Sequence, residues 1–339
     1  MANQILLTGG TGFIGSHTAV ELMSQGYEVI IVDDLSNSEL KTLKSIERIT
    51  GKKPKFYQAD IRQYELINAI FKENKITGII HFAAKKAVGE SVEQPVMYYD
   101  ININSMINLL KLMAAYQVQP IVFSSSCTVY GQPSILPVTE ATPFLPAESP
   151  YGNTKQIGET ILRDSTAANK NINAISLRYF NPVGAHESGL IGELPIGVPA
   201  NLIPFITQTA AGLRQELKIF GGDYNTPDGT AIRDYIHVVD LAKAHVVAID
   251  RMLNAKQAKR YEFFNIGTGK GSSVLEVIQS FEKMTKVKVP YRIVDRRPGD
   301  IVEIYADTSL ANQVLDWKSL LNLDEMMRSA WQWQLNLGK

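Results

Sequence analysis

Short apolar runs recur along the first half of the chain, and each is followed by a stretch whose apolar residues repeat at helical spacing. Gln4-Ile5-Leu6-Leu7, Val29-Ile30-Ile31-Val32, Ile79-Ile80-His81-Phe82, Ile121-Val122-Phe123 and Ile175-Ser176-Leu177-Arg178-Tyr179-Phe180 read as strands, with the continuous runs suited to burial on both faces. Lys55-Phe56-Tyr57 adds another. Helical patterns separate them: up to about Gln25 with a stop at Gly26, about Glu39 to Thr50, Tyr64 to Glu73, about Val96 to Tyr116, and Pro150 to Asn169. Repeated strand–helix units of this kind predict an α/β fold with a doubly wound, Rossmann-like parallel sheet, and ligands at the carboxyl ends of its strands.

From about Asn181 the texture changes. Prolines and glycines become frequent (Pro182, Gly184, Gly189, Gly192, Pro195, Gly197, Pro199), and strands and helices no longer alternate simply. The pattern predicts a first domain over residues 1–180 and a smaller mixed α/β lobe over 181–339, with the chain able to cross between them. The lobe is expected to hold Ile232 to Val238, a helix from Leu241 to Met252, Phe263 to Ile266, and a helix from Val274 to Met284.

Composition narrows the class. The chain has 339 residues, 45% of them hydrophobic, enough for a large core, and its 34 Lys plus Arg balance 34 Asp plus Glu. Bulk charge therefore points to neither nucleic acid nor an anionic membrane. The single cysteine, Cys127, excludes an intramolecular disulfide framework, and the five histidines show no metal-ligand spacing, so no metal is expected. Neither a signal-type segment nor an apolar run of the ~20 residues needed to span a bilayer is present, which predicts a cytoplasmic location.

The first strand runs into Thr8-Gly9-Gly10-Thr11-Gly12-Phe13-Ile14-Gly15 and then into a helix. In that context the glycines permit a tight turn, a close approach of backbone to a pyrophosphate at the helix N-terminus, and close helix–strand packing. The spacing is Gly-x-x-Gly-x-x-Gly, which departs from the dehydrogenase pattern Gly-x-Gly-x-x-Gly. The second strand ends in Asp33, eighteen residues beyond Gly15. An acid there can accept from ribose hydroxyls and repels a 2′-phosphate, so the expected cofactor is NAD rather than NADP. Asp60-Ile61 follows the third strand as a polar–apolar pair able to hold an adenine, and small residues such as Ala83 after the fourth leave room for a cofactor.

Ser149-Pro150-Tyr151-Gly152-Asn153-Thr154-Lys155 carries the chemistry. Ser149 is suited to cap a helix and Pro150 to begin it, which places Tyr151 in the first turn with Lys155 one turn later on the same face. An ammonium beside a phenol favours the phenolate and is expected to bring its pKa from about 10 toward neutrality, where it can act as a base. Such a pair suits removal of a hydroxyl proton while a hydride leaves the same carbon. Arg233 and the arginines of Arg296-Arg297-Pro298-Gly299-Asp300 fall on expected loops of the smaller lobe, and their guanidinium forks match phosphate oxygens.

With these residues in place, the chain resembles the extended short-chain dehydrogenase/reductase family, and within it the UDP-hexose 4-epimerases, over nearly its whole length. The glycine segment and Tyr151-x-x-x-Lys155 match the wider family. More specific are His81-Phe82-Ala83-Ala84-Lys85-Lys86-Ala87-Val88-Gly89-Glu90-Ser91, Phe123 through Gly131, Leu177 through His186, Gly229 through Val238, and Arg296 through Asp300. The resemblance implies interconversion of UDP-glucose and UDP-galactose through transient oxidation at C4 with tightly held NAD. Tyr151 would take the O4 proton, Lys155 would hold the nicotinamide ribose, and Ser126 would bridge sugar and phenol. It implies that Gly9, Gly12, Phe13, Ile14, Gly15, Asp33, Asn37, Asp60, Ile61, Phe82, Ala83, Lys86, Ser124 and Phe180 line the NAD site. Asn181, Asn201, Leu202, Phe220, Arg233, Arg297, Asp300 and Ile304 would contact the UDP-sugar. The same resemblance implies a homodimer paired through the helices at about Val96–Tyr116 and Pro150–Asn169.

Two positions depart from the family pattern. Ile304 stands where some members carry a bulky tyrosine near the sugar, which opens the prospect of N-acetylated UDP-hexosamines as substrates. Cys127 stands where a small residue such as alanine is common, and is expected to be a buried, unreactive thiol. The related 4,6-dehydratases resemble this segment with an Asp-Glu pair for water elimination; Cys127-Thr128 cannot do that work. A UDP-uronate or UDP-pentose epimerase, and a non-catalytic NAD-sensing scaffold, are the alternative readings.

Overall fold

The computed structural model describes residues 3–297 and 300–337; Pro298 and Gly299 of the arginine-rich segment lie outside them. In chain order the first part contains β1 (Gln4–Thr8), α1 (Phe13–Ser24), β2 (Glu28–Asp33), α2 (Lys41–Thr50), β3 (Lys55–Gln58), α3 (Tyr64–Glu73), β4 (Ile76–His81), α4 (Val88–Glu93), α5 (Pro95–Tyr116), β5 (Pro120–Ser126), α6 (Pro150–Ala168) and β6 (Asn173–Tyr179). The remainder contains β7 (Asn181–Val183), α7 (Leu202–Ala210), β8 (Leu217–Phe220), β9 (Ile232–His237), α8 (Val238–Leu253), β10 (Tyr261–Ile266), β11 (Gly271–Ser273), α9 (Val274–Thr285), β12 (Tyr291–Val294), β13 (Glu303–Ile304), α10 (Ser309–Val314) and α11 (Leu323–Leu337).

Seven parallel strands form the central sheet in the order β10-β6-β5-β4-β1-β2-β3. Successive side chains on a strand point to opposite faces, and the continuous apolar runs use both. Ile5, Leu7, Ile31, Ile80, Val122, Ile175 and Leu177 pack into one layer with residues of α1 and α8. Leu6, Ile30, Val32, Ile79, Ile121 and Phe123 pack into the other with residues of α3 and α5. A sheet covered on both sides is what makes it doubly wound. Chain order reverses between β1 and β4, and it is at the carboxyl ends of the strands flanking such a switch point that sheets of this kind bind their ligands.

Two elements expected in the smaller lobe return to the large sheet. β10 pairs in parallel with β6, from Tyr261 opposite Ala174 to Ile266 opposite Tyr179. Leu241, Ala244, Ala248 and Ile249 of α8 join the apolar layer beneath α1. α8 and β10 are a further helix–strand unit of the same kind, and the glycine- and proline-rich insertion before them hides that continuity in the sequence. The rest of the second half forms a four-stranded sheet around β9, a two-stranded sheet of β8 and β12, and a separate core that includes Ile206, Ile219, Tyr235, Phe281 and Met327. The C-terminal tryptophans pack rather than project: Trp331 meets Phe281 edge to face, Trp317 donates to the Asp240 carbonyl, and Trp333 donates to the Glu193 carbonyl.

Candidate active site

The glycine segment joins β1 to α1 at the switch point. Gly9 takes φ +72°, and a Cβ there would lie 2.9 Å from the Ala83 nitrogen, so the turn sits against the end of β4. At Gly15 a Cβ would lie 2.3 Å from the Gly9 carbonyl, which is what lets α1 pack on the turn. Gly12, the N-cap of α1, offers no side-chain cap, and no acid stands in the first turn. The amides of Phe13 and Ile14 and the positive end of the helix are thus presented without an intramolecular anion, the arrangement that accepts a diphosphate. Asp33 ends β2 and accepts from the Thr11 and Leu35 amides at 3.1 and 3.0 Å and from Ser38 Oγ at 2.9 Å. These residues fit the dinucleotide expected from the sequence.

Around this turn the other candidate cofactor positions divide. Ala83 donates to Thr8 Oγ1 and Phe82 packs on His245 at 4.7 Å, so both lie at the end of β4. Asn37 is exposed on the turn after Asp33, and Ile61 is buried in the apolar layer. The Asp60 carboxylate is engaged by Arg62, which also pairs with Asp100; the hydrogen bond from Arg62 lowers the carboxyl's pKa. Ser124 is buried at the end of β5, where its hydroxyl meets the Tyr179 hydroxyl.

The helix cap expected at Ser149 is present, with the Gly152 amide donating to Ser149 Oγ at 3.1 Å and Pro150 in the first turn. Tyr151 and Lys155 share a face, Lys155 Nζ lying 5.7 Å from the Tyr151 ring centre. The electrostatic outcome differs from the expectation. Lys155 is 4% exposed and donates to the Ser124 carbonyl at 2.7 Å, rather than to the phenol. Burial pulls its pKa from 10.5 down to about 7. Burial also pushes Tyr151 up to about 12, against a hydrogen bond with Ser126 that acts the other way. Desolvation of the phenolate outweighs what these neighbours give back, so the protein by itself does not bring the phenol toward neutrality. Cys127, next to Ser126, is a partly buried thiol whose pKa burial raises to about 11, in keeping with an unreactive group.

The candidate sugar-nucleotide residues fall into two groups, the first of which also holds the cofactor candidate Phe180. Phe180 and Ile304 lie in a small apolar cluster with Val129, Tyr130, Val138 and Ala306, with Cys127 against it. Ile304 is 1% exposed and pairs with Arg233, whose Nη1 donates to the Ile232 carbonyl at 2.8 Å. Farther out, Arg297 stacks over Phe220 at 4.7 Å and makes two bonds to Asp300, at 3.0 and 3.1 Å. Asn181 begins β7, and Asn201 and Leu202 begin α7. Glu193, which the sequence does not mark, links a candidate cofactor residue to a candidate sugar-nucleotide residue: its Oε1 accepts from Lys86 Nζ at 3.2 Å and from Asn201 Nδ2 at 2.5 Å. It lies in the irregular insertion, where no periodic signal marks it; only the lone acid among Gly192, Leu194 and Pro195 stands out.

Similarity to known proteins follows the same lines. Residues 6–330 match the protein-family model described as GDP-mannose 4,6 dehydratase. Over 330 residues the chain is 50% identical to the UDP-glucose 4-epimerase of Bacillus subtilis, covering 97% of this chain and 96% of that protein. The chain belongs to the UDP-glucose 4-epimerase family. A UDP-glucose 4-epimerase from Bifidobacterium longum, solved in complex with NAD+ and UDP, shares its fold at a TM-score of 0.94 and 50% identity, with 98% of each chain covered. One from Stenotrophomonas maltophila, solved with NAD and formylated UDP-arabinopyranose, does so at 0.96 and 49% identity, covering 100% of this chain and 99% of that one. UDP-glucose 4-epimerase relatives thus match nearly the whole chain. No helix among the described residues is long and apolar enough to cross a membrane, and they contain no cluster of three or more potential metal ligands.

Proposed function

We infer that this protein is an NAD-dependent isomerase that interconverts UDP-glucose and UDP-galactose. The observation that carries the reading is the meeting of Tyr151, Lys155 and Ser126 at the end of β5, in a sheet whose β1 ends in an uncapped glycine turn and in a chain half identical to named epimerases. Gly9, Gly12, Phe13, Ile14, Gly15, Asp33, Asn37, Asp60, Ile61, Phe82, Ala83, Lys86, Ser124 and Phe180 would hold the cofactor. NAD bound there supplies a hydride acceptor and donor, and a positive charge.

Tyr151 would remove the proton from the sugar O4, directly or through Ser126, and return it after the keto sugar has turned over. Because burial raises the phenol to about 12, the protein holds Tyr151 as an acid until a cation is brought beside it. Lys155, whose pKa burial lowers to about 7 and whose ammonium donates to the Ser124 carbonyl, would hold a ribose hydroxyl. Arg233, Arg297 and Asp300, with Phe220, Asn201 and Leu202, would hold the nucleoside diphosphate. Few polar groups besides Asn181 and Ser126 would grip the hexose, as turning it requires: tight uniform binding of the sugar would block the turn.

Incubating the purified protein with UDP-galactose, without added NAD, tests this. Formation of UDP-glucose without lasting nicotinamide reduction is the expected result, and absence of product would end the reading. A UDP-pentose substrate is a second reading, favoured by the formylated UDP-arabinopyranose in the Stenotrophomonas maltophila structure. Ile304 in place of a larger residue leads us to propose activity on UDP-N-acetylglucosamine as well; no turnover of that compound would refute it. We also propose a homodimer paired through α5 and α6, consistent with the exposed Val96 at the start of α5; a monomer on sedimentation would refute that.

A further inference from the structure

A buried polar network lies beneath the catalytic helix, apart from every residue assigned above to cofactor or sugar. Glu159 sits one turn beyond Lys155 on α6, and Arg178 of β6 meets it with two parallel bonds, Nε to Oε1 at 2.9 Å and Nη2 to Oε2 at 2.7 Å. Their side chains are only 3% and 4% exposed. The guanidinium lies over the Phe263 ring at 4.3 Å and donates through Nη1 to the Tyr130 hydroxyl at 3.0 Å, which donates in turn to Asn265 at 2.6 Å. Two hydroxyls complete the carboxylate: Ser125 donates to Oε1 at 2.5 Å and Tyr261 to Oε2 at 3.0 Å.

A buried ion pair is poor value as a stabilising device, since apolar residues of like volume commonly match or exceed it. What apolar residues could not do is grip Ser125. That residue stands between Ser124, whose carbonyl receives Lys155, and Ser126, the neighbour of Tyr151. Alternation along β5 turns Ser124 and Ser126 one way and Phe123 and Ser125 the other, toward α6. There Gly158 lets the helix backbone rest on the Phe123 ring, for a Cβ would come within 2.7 Å of it. The helix bearing Tyr151 and Lys155 is therefore set against the strand bearing the serines by two contacts one residue apart on α6: a steric stop at Gly158 and a hydrogen-bonded latch at Glu159.

We propose that the Glu159–Arg178 pair, acting through Ser125, is a positioning device that sets Lys155 and Tyr151 in register with Ser124 and Ser126. The activity part of its test rests on the epimerase reading above; the cofactor part does not. In Ser125→Ala the carboxylate keeps Arg178 and Tyr261, so the fold is retained while the latch to β5 is lost. The holoenzyme variant is expected to release NAD ~10-fold faster on dilution, as the loss of one charge-assisted bond allows. Its kcat should fall ~10-fold or more at unchanged KM for the UDP-sugar, because the placement of the reacting groups rather than sugar binding is altered. The second variant, Glu159→Met with Arg178→Met, should unfold in urea no earlier than wild type and yet show the same two defects. Unchanged NAD release in Ser125→Ala overturns the proposal whatever the sugar substrate is. So does a stable double variant with wild-type release and turnover, which would leave the pair a purely structural role. A wild-type protein inactive on UDP-galactose would instead count against the epimerase reading, and the NAD release rates would still decide this one.

Discussion

Replacing Lys155 with methionine separates the demands of chemistry from those of folding. The methionine keeps most of the stem's volume and removes a cation that burial has pulled from 10.5 to about 7. A cation whose folded pKa is depressed costs stability in full below that pKa, and the cost fades as pH rises through the unfolded value. The unfolded chain binds more protons across the window from about 7 to 10.5, so wild-type stability rises with pH there. At 1.36 kcal/mol per pKa unit the cost is about 4 to 5 kcal/mol at pH 6.5 and about 2 kcal/mol at pH 9. Against this, Lys155→Met leaves the Ser124 carbonyl without its donor, at about 1 to 3 kcal/mol. The variant should therefore be more stable than wild type by roughly 1 to 4 kcal/mol at pH 6.5 and nearly equal at pH 9, while losing activity at both. Urea unfolding of the nucleotide-free proteins at the two pH values measures this. A variant less stable than wild type by the same margin at both would show that Lys155 is charged and well paired in the fold, and the argument would fail.

Other changes probe separate links. Tyr151→Phe should retain bound NAD and fold stability but lower kcat by ~10² to 10⁴, the range of a lost acid–base group, in a UDP-galactose assay. Removing the helix cap in Ser149→Ala should cost about 1 kcal/mol in urea unfolding by freeing the Gly152 amide, with a smaller effect on turnover. Gly15→Ala drives a methyl against the Gly9 carbonyl and the Gly10 Cα, so the protein should purify without NAD and melt earlier; a variant that carries a full complement of NAD would contradict the packing argument.

Much of this architecture is local and was legible in the chain. Apolar runs of strand length, helical spacing between them, the glycine turn before α1 and the Ser149-Pro150 helix start all rest on periodicity, caps and backbone sterics, which neighbouring residues settle among themselves. Placement of Tyr151 and Lys155 on one helical face follows from the 3.6-residue turn alone. The alternation also predicts the doubly wound sheet, and the motif blocks carry the family. The return of α8 and β10 to the large sheet was decided by tertiary packing, because the intervening insertion breaks the pattern and β10 finds β6 across more than eighty residues. Glu193 between Lys86 and Asn201, and Glu159 between Ser125 and Arg178, likewise join segments far apart in the chain. Protonation behaved the same way. Spacing puts an ammonium near a phenol, but the sign of each shift depends on how much water remote segments exclude and on which oxygen the ammonium reaches, and the fold gave Lys155 the Ser124 carbonyl. Local sterics choose the elements; desolvation and long-range partners, which exist only once the chain has closed on itself, choose the chemistry of the groups they carry.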